Sequence, residues 1–429
     1  MLHLFSLGIL PLWLETTKIF QPPDATIQQP LDLLLLNQPD PGIEPVLKTY
    51  LAKLEKQGFP AQSQGIWLQT SDQLLAYHQG EQPLSAASLT KIATTLAALK
   101  TWKLDHQFVT EVRITGPIEQ GILKGDLIIQ GGNDPLFVGG EAIGLGHALN
   151  QLGVRQISGN LVISGPFVME FQQNPQQAGQ LLLNGFNGQV LPTDPKYPKY
   201  TLPTVAVPKP QISLKGSIIA ANADRRGQVI VRHQSLPLLE ILKQLNVHSN
   251  NDVAEQLAQM MGGTPVVIQK AMTEGIPQQE ILLKNGSGLG QENRLSPRAV
   301  MGLFQAIEKK LEPFNLTVAD VFPVAGRDLG TIKERTLPAN TVVKTGTLWN
   351  VSALAGVLPT RKYGLVWFSI INGGPRYNTE GFREEQDRLL QTLSQRWGAP
   401  SSAWVPPRQS HQFGDSARIQ RVSTDSASL

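Results

Sequence analysis

Apolar positions recur with a helical period in some stretches of this chain and alternate in others. Within residues 45–58, Val46, Leu47, Tyr50, Leu51 and Leu54 share one helical face, and Gly58 is a stop. Two short apolar runs, 65–70 and 73–78, flank Ser71 and Asp72, which predicts a β-hairpin. Ser85 stands as an N-cap before residues 86–102, an apolar stretch without Gly or Pro that reads as a buried helix. From about Phe108 the texture becomes strand-like, at 108–115, 125–130 and 159–164, with Gly and Pro turns between. Residues 185–210 carry six prolines, from Pro192 to Pro210, and read as loop. Helical spacing returns at 235–244, at 251–261 and within 294–311, where Ser296-Pro297 suits a first turn. Residues 341–348, 352–358 and 364–371 predict successive strands, and 384–397 a last helix; no internal repeat is present.

A length of 429 residues suggests two or three domains, and 41% hydrophobic with 17% charged residues is enough for a sizeable core. A formal net charge of +3 argues against a nucleic-acid reader driven by counter-ion release. The chain has no cysteine, which excludes disulfides, thiolate metal sites and a Cys nucleophile. Its seven histidines never fall at ligand spacing on one element, so a histidine metal site is not expected; no metal and no cofactor is expected for the chain. The apolar run 2–14 is shorter than the about 20 residues needed to span a bilayer, so no integral membrane span is expected. It suits a signal h-region in length, yet no Lys or Arg precedes it and no A-x-A site follows; an export signal and a packed apolar segment both stay open. Residues 399–429 are polar, rich in Ser and Pro and aperiodic, and read as a disordered tail.

Three short motifs carry candidate chemistry. Ser88 and Lys91 lie three apart at the start of the predicted helix, where hydroxyl and ammonium can touch. A lysine serves as base to such a serine if burial or a second cation depresses its pKa, although most Ser/Lys pairs at this spacing are caps or solvated faces. Ser249-Asn250-Asn251 precedes a helix and by itself reads as an N-cap. Lys344-Thr345-Gly346-Thr347 lies in a predicted strand, where a glycine marks close approach to the backbone and alternation puts Thr345 and Thr347 on one face; a lysine-blunted edge strand is the bland alternative. Together, Ser-x-x-Lys, Ser-x-Asn and Lys-Thr-Gly form the ordered motif set of penicillin-reactive serine acyl-transferases, with positions 91 and 249 being 158 apart and 249 and 344 being 95 apart.

The wording around these motifs, Pro83 to Lys91, Asn246 to Glu255, Asn285 to Leu289 with Asn293 to Pro297, Pro323 to Thr331 with Arg335, and Lys344 to Leu348 with Ser352 to Gly356, resembles the D-alanyl-D-alanine carboxypeptidase/endopeptidase family. These are the class C low-molecular-mass penicillin-binding proteins, and the resemblance runs over about residues 44–397. Gly125-Asp126 and 131–135 resemble that family's inserted domain, whereas 165–210 hardly do; between the first and second motifs class A β-lactamases have a much shorter segment. The resemblance implies an α/β (α+β) transpeptidase-like domain, an antiparallel sheet flanked by helices, in two parts, 41–105 and 213–398. A β-rich insert, 106–212, interrupts it, a lead-in occupies 1–40 and a tail 399–429. It implies that Ser88 attacks D-Ala-D-Ala, Lys91 takes its proton, Lys344 is the second cation, Ser249 relays a proton to the leaving amine and Asn251 orients Lys91 and the substrate amide. Backbone N–H groups of Ser88 and Thr347 would form the oxyanion hole, with Thr345 and Lys344 on the terminal carboxylate, and the substrate-binding stretch would be Thr345, Gly346 and Thr347. The implied partners are peptidoglycan stem peptides and, as covalent inhibitors, β-lactams; the implied setting is the periplasm or cell envelope. The expected activity is a serine DD-carboxypeptidase, with DD-endopeptidase action on the same acyl-enzyme, and a β-lactamase or esterase on the same scaffold is the alternative. Departures from the family pattern are Asn285 in place of Asp, Gly290 in place of Ser, an extra Leu329, and the bulkier Trp349-Asn350.

Overall fold

The computed structural model describes residues 40–189, 209–221, 225–400 and 413–422. The apolar run near the N-terminus and most of the proline-rich 185–210 stretch lie outside the described residues.

The Ser71-Asp72 turn forms as its composition predicts. Thr70 Oγ1 accepts the backbone N–H groups of Asp72 and Gln73 and closes the hairpin between strands Gln64–Gln69 and Leu74–His78. These two strands complete a five-stranded sheet in the order Val342–Leu348, Val351–Thr360, Gly364–Gly373, Gln64–Gln69, Leu74–His78, antiparallel throughout. Strand Val351–Thr360 is buried along its whole length because helices cover both faces. Helices Glu44–Lys56 and Thr379–Trp397 pack on one face through Leu47, Tyr50, Leu54, Phe382, Leu390 and Leu393. Helices Thr90–Leu99 and Pro297–Leu311 cover the other with Ile92, Leu96, Phe304 and Ile307. This is the expected mixed α/β fold, an antiparallel sheet flanked by helices.

Helix Thr90–Leu99 is enclosed on every side, all ten of its residues being buried, and it starts later than its composition suggests. Ser85 is not its cap. It belongs to a two-residue strand, Leu84–Ser85, paired with Arg294–Leu295, and its hydroxyl is buried without a hydrogen-bond partner. The backbone breaks at Ala87, whose φ of 48° is left-handed, and a single 3₁₀ turn, Ala87–Leu89, leads into the helix. Gly288 (φ 82°) lies against this break: a Cβ there would sit 1.9 Å from the Ala87 carbonyl oxygen, so only glycine fits.

The insert has its own sheet of six strands, ordered Ile218–Ala221, Leu161–Ser164, Leu127–Gln130, Val109–Ile114, Gln228–Gln234, Ile419–Arg421. The first three run parallel, and the helices Gly139–Gln151 and Pro175–Gly185 supply the crossovers that parallel pairing requires. Leu145, Leu149, Ala178 and Leu182 pack these helices into a separate core. Two expectations are corrected here. The insert's sheet continues to Gln234 rather than ending at 212, because the return strand Gln228–Gln234 pairs with the entry strand Val109–Ile114. The tail beyond 399 is also not wholly unstructured. Ile419–Arg421 adds an edge strand, and Arg418, buried, donates to Glu141 and to the Gln234 carbonyl. Glu141 also accepts from His233, 2.8 Å away, and from the Gly414 N–H. Among the described residues no helix is long and apolar enough to cross a membrane.

Glu141 is the hinge of that buried cluster. Glu141→Ala leaves the buried Arg418 guanidinium without this carboxylate and His233 without this acceptor, and the loss should be roughly 3–5 kcal/mol of unfolding free energy. Urea titration of wild type and variant checks this; coincident midpoints would disprove the role of Glu141.

Candidate active site

The break at Ala87 leaves Ser88 half-buried at the mouth of a buried helix, one turn from Lys91. Lys91 has no solvent exposure, and its Nζ lies 3.0 Å from Ser88 Oγ, 2.7 Å from Asn251 Oδ1 and 2.6 Å from the Ser287 carbonyl oxygen. Three acceptors match the three N–H groups of an ammonium. The Ser88 hydroxyl can also donate, so the same 3.0 Å contact would deliver a proton to a neutral amine.

The second motif divides its two readings between residues. Asn250 is the N-cap: its side chain accepts the Val253 N–H at 3.1 Å and opens helix Asn251–Met260. Ser249 caps the preceding helix, Leu238–His248, in a left-handed conformation (φ 52°), and its hydroxyl accepts from Lys344 Nζ at 2.9 Å. Asn251, the first helical residue, accepts from Lys91.

The third motif lies on the edge strand Val342–Leu348, against the start of the Ser88 turn. A Cβ on Gly346 would stand 2.9 Å from the Ala86 carbonyl oxygen and 3.1 Å from Ser88 N, so strand and turn touch backbone to backbone there. Lys344 is fully buried and donates to Ser249 Oγ and, at 2.8 Å, to the Thr345 carbonyl. Burial, first, and the nearby Lys91 ammonium, second, hold its pKa well below the ordinary lysine range. The two hydroxyls expected on one face have different surroundings. Thr345 is buried and bonded to Thr331 Oγ1 at 2.8 Å, whereas Thr347 is exposed and accepts from Arg383 Nη2 at 3.0 Å.

All eight residues singled out by sequence thus lie in or beside one cleft: Ser88, Lys91 and Asn251 around one ammonium, Ser249 and Lys344 around the other, with 345–347 along its edge. Sequence reasoning did not single out Ser287, whose carbonyl holds Lys91. That carbonyl is fixed by Glu255, which accepts the N–H groups of Gly286 and Ser287, and by Thr94, which donates to the Gly286 carbonyl. Asn285 explains one departure: its Oδ1 accepts the Gly288 N–H and its Nδ2 donates to the Leu289 carbonyl, the second of which an ionised Asp could not do. Arg383 was also passed over, since a lone Arg in an amphipathic helix carries no motif; beside the Thr347 hydroxyl it can receive a carboxylate. Trp349 is 63% exposed, so its indole is not packing, and it stands on the same edge as Thr347. Among the described residues no group of three His, Asp or Glu side chains is placed to hold a metal.

The model of the D-Ala-D-Ala carboxypeptidase 3 (S13) family matches residues 50–190 and 207–396, and the chain belongs to that family. It is 24% identical over 402 residues to D-alanyl-D-alanine carboxypeptidase DacB of Haemophilus influenzae, covering 70% of this chain and 83% of the relative. It is 25% identical over 348 residues to carboxypeptidase DacB of Mycolicibacterium smegmatis, covering 71% and 75%. Among solved structures, the fold is shared with penicillin binding protein 4 of H. influenzae (TM-score 0.59, 21% identity, 81% of this chain and 98% of that one). It is shared too with a penicillin G-acylated predatory endopeptidase of Bdellovibrio bacteriovorus, in complex with an immunity protein (TM-score 0.70, 20% identity, 83% and 99%).

The contact at Gly346 makes a sharp prediction. Gly346→Val must push the edge strand off the Ser88 turn, and reaction of the site with a fluorescent penicillin should slow roughly 10²-fold, as misplacement by about 1 Å does. The unfolding midpoint should change little. Stopped-flow labelling measures the first and thermal melting the second; full-speed labelling would show that the close approach is not needed.

Proposed function

We propose that this carboxypeptidase works through a Ser88 acyl-enzyme on the D-Ala-D-Ala end of peptidoglycan stem peptides. The observation that carries the reading is the meeting of Ser88 Oγ and Asn251 Oδ1 on the buried Lys91 Nζ, with Ser249 Oγ on the equally buried Lys344 Nζ. Ser88 Oγ attacks the carbonyl carbon of the penultimate D-Ala while its proton passes to Lys91. The oxyanion that forms is met by the N–H groups of Ser88 and Thr347, a reading supported by the close approach of Gly346, the residue before Thr347, to Ser88 N. Collapse breaks the C–N bond, and the departing D-Ala amine takes a proton through Ser249. Water then attacks the ester, returning the Ser88 hydroxyl and releasing the shortened stem as a carboxylate. No cofactor enters any step. Asn251 orients Lys91, and Lys344 stands near enough for the two ammonium groups to repel each other. Lys344 and Thr345 are occupied by Ser249 and Thr331, so the exposed pair Thr347 and Arg383 offers the terminal carboxylate its most open partners, with Gly346 between the two threonines.

An endopeptidase uses the same acyl-enzyme and differs only in its leaving amine, that of a neighbouring stem, and β-lactams present their strained amide to the same oxygen. Rapid deacylation, the mark of a β-lactamase, would need a further base. Glu255, which supports the loop behind Lys91, has both oxygens occupied by backbone N–H groups. Action on the cell wall places the protein in the cell envelope, and we take that to be the periplasm where the organism has one.

Ser88→Ala should abolish covalent labelling by penicillin while leaving the melting curve intact, with intact-mass analysis mapping the wild-type adduct to Ser88; an adduct on the variant would refute the assignment. Lys344→Met removes the cation whose repulsion favours a neutral base next to Ser88. The acidic limb of the acylation rate should therefore move to higher pH, since the base now holds its proton more tightly. A profile that falls in height without moving would exclude that electrostatic role.

A further inference from the structure

A second cavity, of about 640 Å³, opens between the insert and the far end of helix Asn251–Met260. Its volume is that of a site for a small organic ligand. Its lining is unlike that of the catalytic cleft: among the described residues no charged side chain borders it. Instead it combines one partly exposed aromatic ring, Trp102, with four side-chain amides, Asn133, Gln173, Gln256 and Gln259. Gln256 is 92% buried, yet its Nε2 has no hydrogen-bond partner. A buried amide donor left unpaired is costly, and a rotation of the Gln256 side chain toward the adjoining cavity would pair it with a ligand's acceptor.

We propose that this cavity binds an uncharged N-acetylated amino sugar, as part of the glycan strand that carries the stem peptide. A pyranose offers an apolar C–H face to an aromatic ring and a rim of hydroxyls, and its acetamido group presents both a carbonyl acceptor and an N–H donor. Side-chain amides match both, being donor and acceptor at once, whereas a charged ligand would find no counter-charge here. Distance agrees with this. A helix rises about 1.5 Å per residue, so Gln259 lies roughly 12 Å along the helix from Asn251. The four residues of an extended stem that precede the scissile amide reach at most about 14 Å. A sugar in the cavity can therefore hold its own stem with the terminal amide at Ser88. The inference rests on the peptidoglycan reading of the catalytic cleft, but the site is separate from it.

The test is titration of the full chain with N,N′,N″-triacetylchitotriose by ligand-observed NMR or calorimetry, with cellotriose, which lacks the acetamido groups, as comparison. Saturable binding of the acetylated trisaccharide is expected, with none of cellotriose. Gln256→Ala should weaken it about tenfold or more, and Gln259→Ala, at an exposed position, serves if the first variant does not fold. Penicillin labelling of Ser88 should proceed at the wild-type rate in both variants, which reports independently on the catalytic reading. Absence of saturable binding, equal binding of cellotriose, or binding unaltered in the folded variants would each overturn the proposal.

Discussion

Two lysine side chains without solvent exposure stand close enough for the charge of one to depress the pKa of the other. Such an arrangement is unfavourable in itself, because each ammonium loses hydration and each repels its neighbour. The architecture around them is the compensation. Lys91 is held by a backbone carbonyl, an amide oxygen and a hydroxyl, Lys344 by a carbonyl and a hydroxyl. None of these acceptors is a carboxylate, which matters. A carboxylate would neutralise the cleft and stabilise the protonated base, whereas neutral dipoles satisfy the hydrogen bonds and leave the repulsion in place. Glu255 acts a step away, on the N–H groups of the loop whose carbonyl binds Lys91.

Holding those dipoles in place requires backbone conformations that few residues adopt. Ala87 and Ser249 are both left-handed, one immediately before the nucleophile and the other within the second motif. They persist because their surroundings over-determine them: the Gly288 loop presses on Ala87 and strand Val342–Leu348 on the next residue. Two of the nine left-handed non-glycine residues among the described residues thus lie where the separate segments of the site converge.

How much of this was legible in the sequence depended on the range of the interaction. The hairpin at 71–72 and the Ser296 cap of Pro297–Leu311 are set by neighbours in the chain, and both could be read there. Ser88, Lys91, Ser249, Asn251 and Lys344 were legible as a pattern, although their contacts are long-range. Helix Gly139–Gln151 was missed because its four glycines lower helix propensity, and it forms through tertiary packing on the insert sheet. Ser85 looked like a cap because nothing local shows that Leu84–Ser85 pairs with Arg294–Leu295. The strand Ile419–Arg421 sits in polar sequence, and only Glu141, nearly 280 positions away, gives Arg418 a reason to be buried. Arg383 and Ser287 escaped for the same reason: their partners are chosen by the fold.

The insert raises a mechanical question, since it separates the helix of Ser88 from the helix ending at Ser249 without disturbing their meeting. Its entry and exit answer it. The N–H of Phe108 donates to Ser235 Oγ and the N–H of Ser235 to the Phe108 carbonyl, each at 2.9 Å, while Leu238 and Leu239 donate to the carbonyls of His106 and Leu104. The outgoing and returning chains are thus bonded together at the junction before the insert's strands pair at all. Closing a long loop costs only slightly more than closing a short one, so the catalytic half experiences the insert as a short connection of fixed width. Ser249 therefore reaches Lys344 from a helix whose start is registered against the chain leaving helix Thr90–Leu99. The insert is not detached from that half: Phe108, Leu136 and Val138 pack in one core with Ile92 and Leu257, so its near side braces the helices that carry the site while its own sheet keeps a separate core.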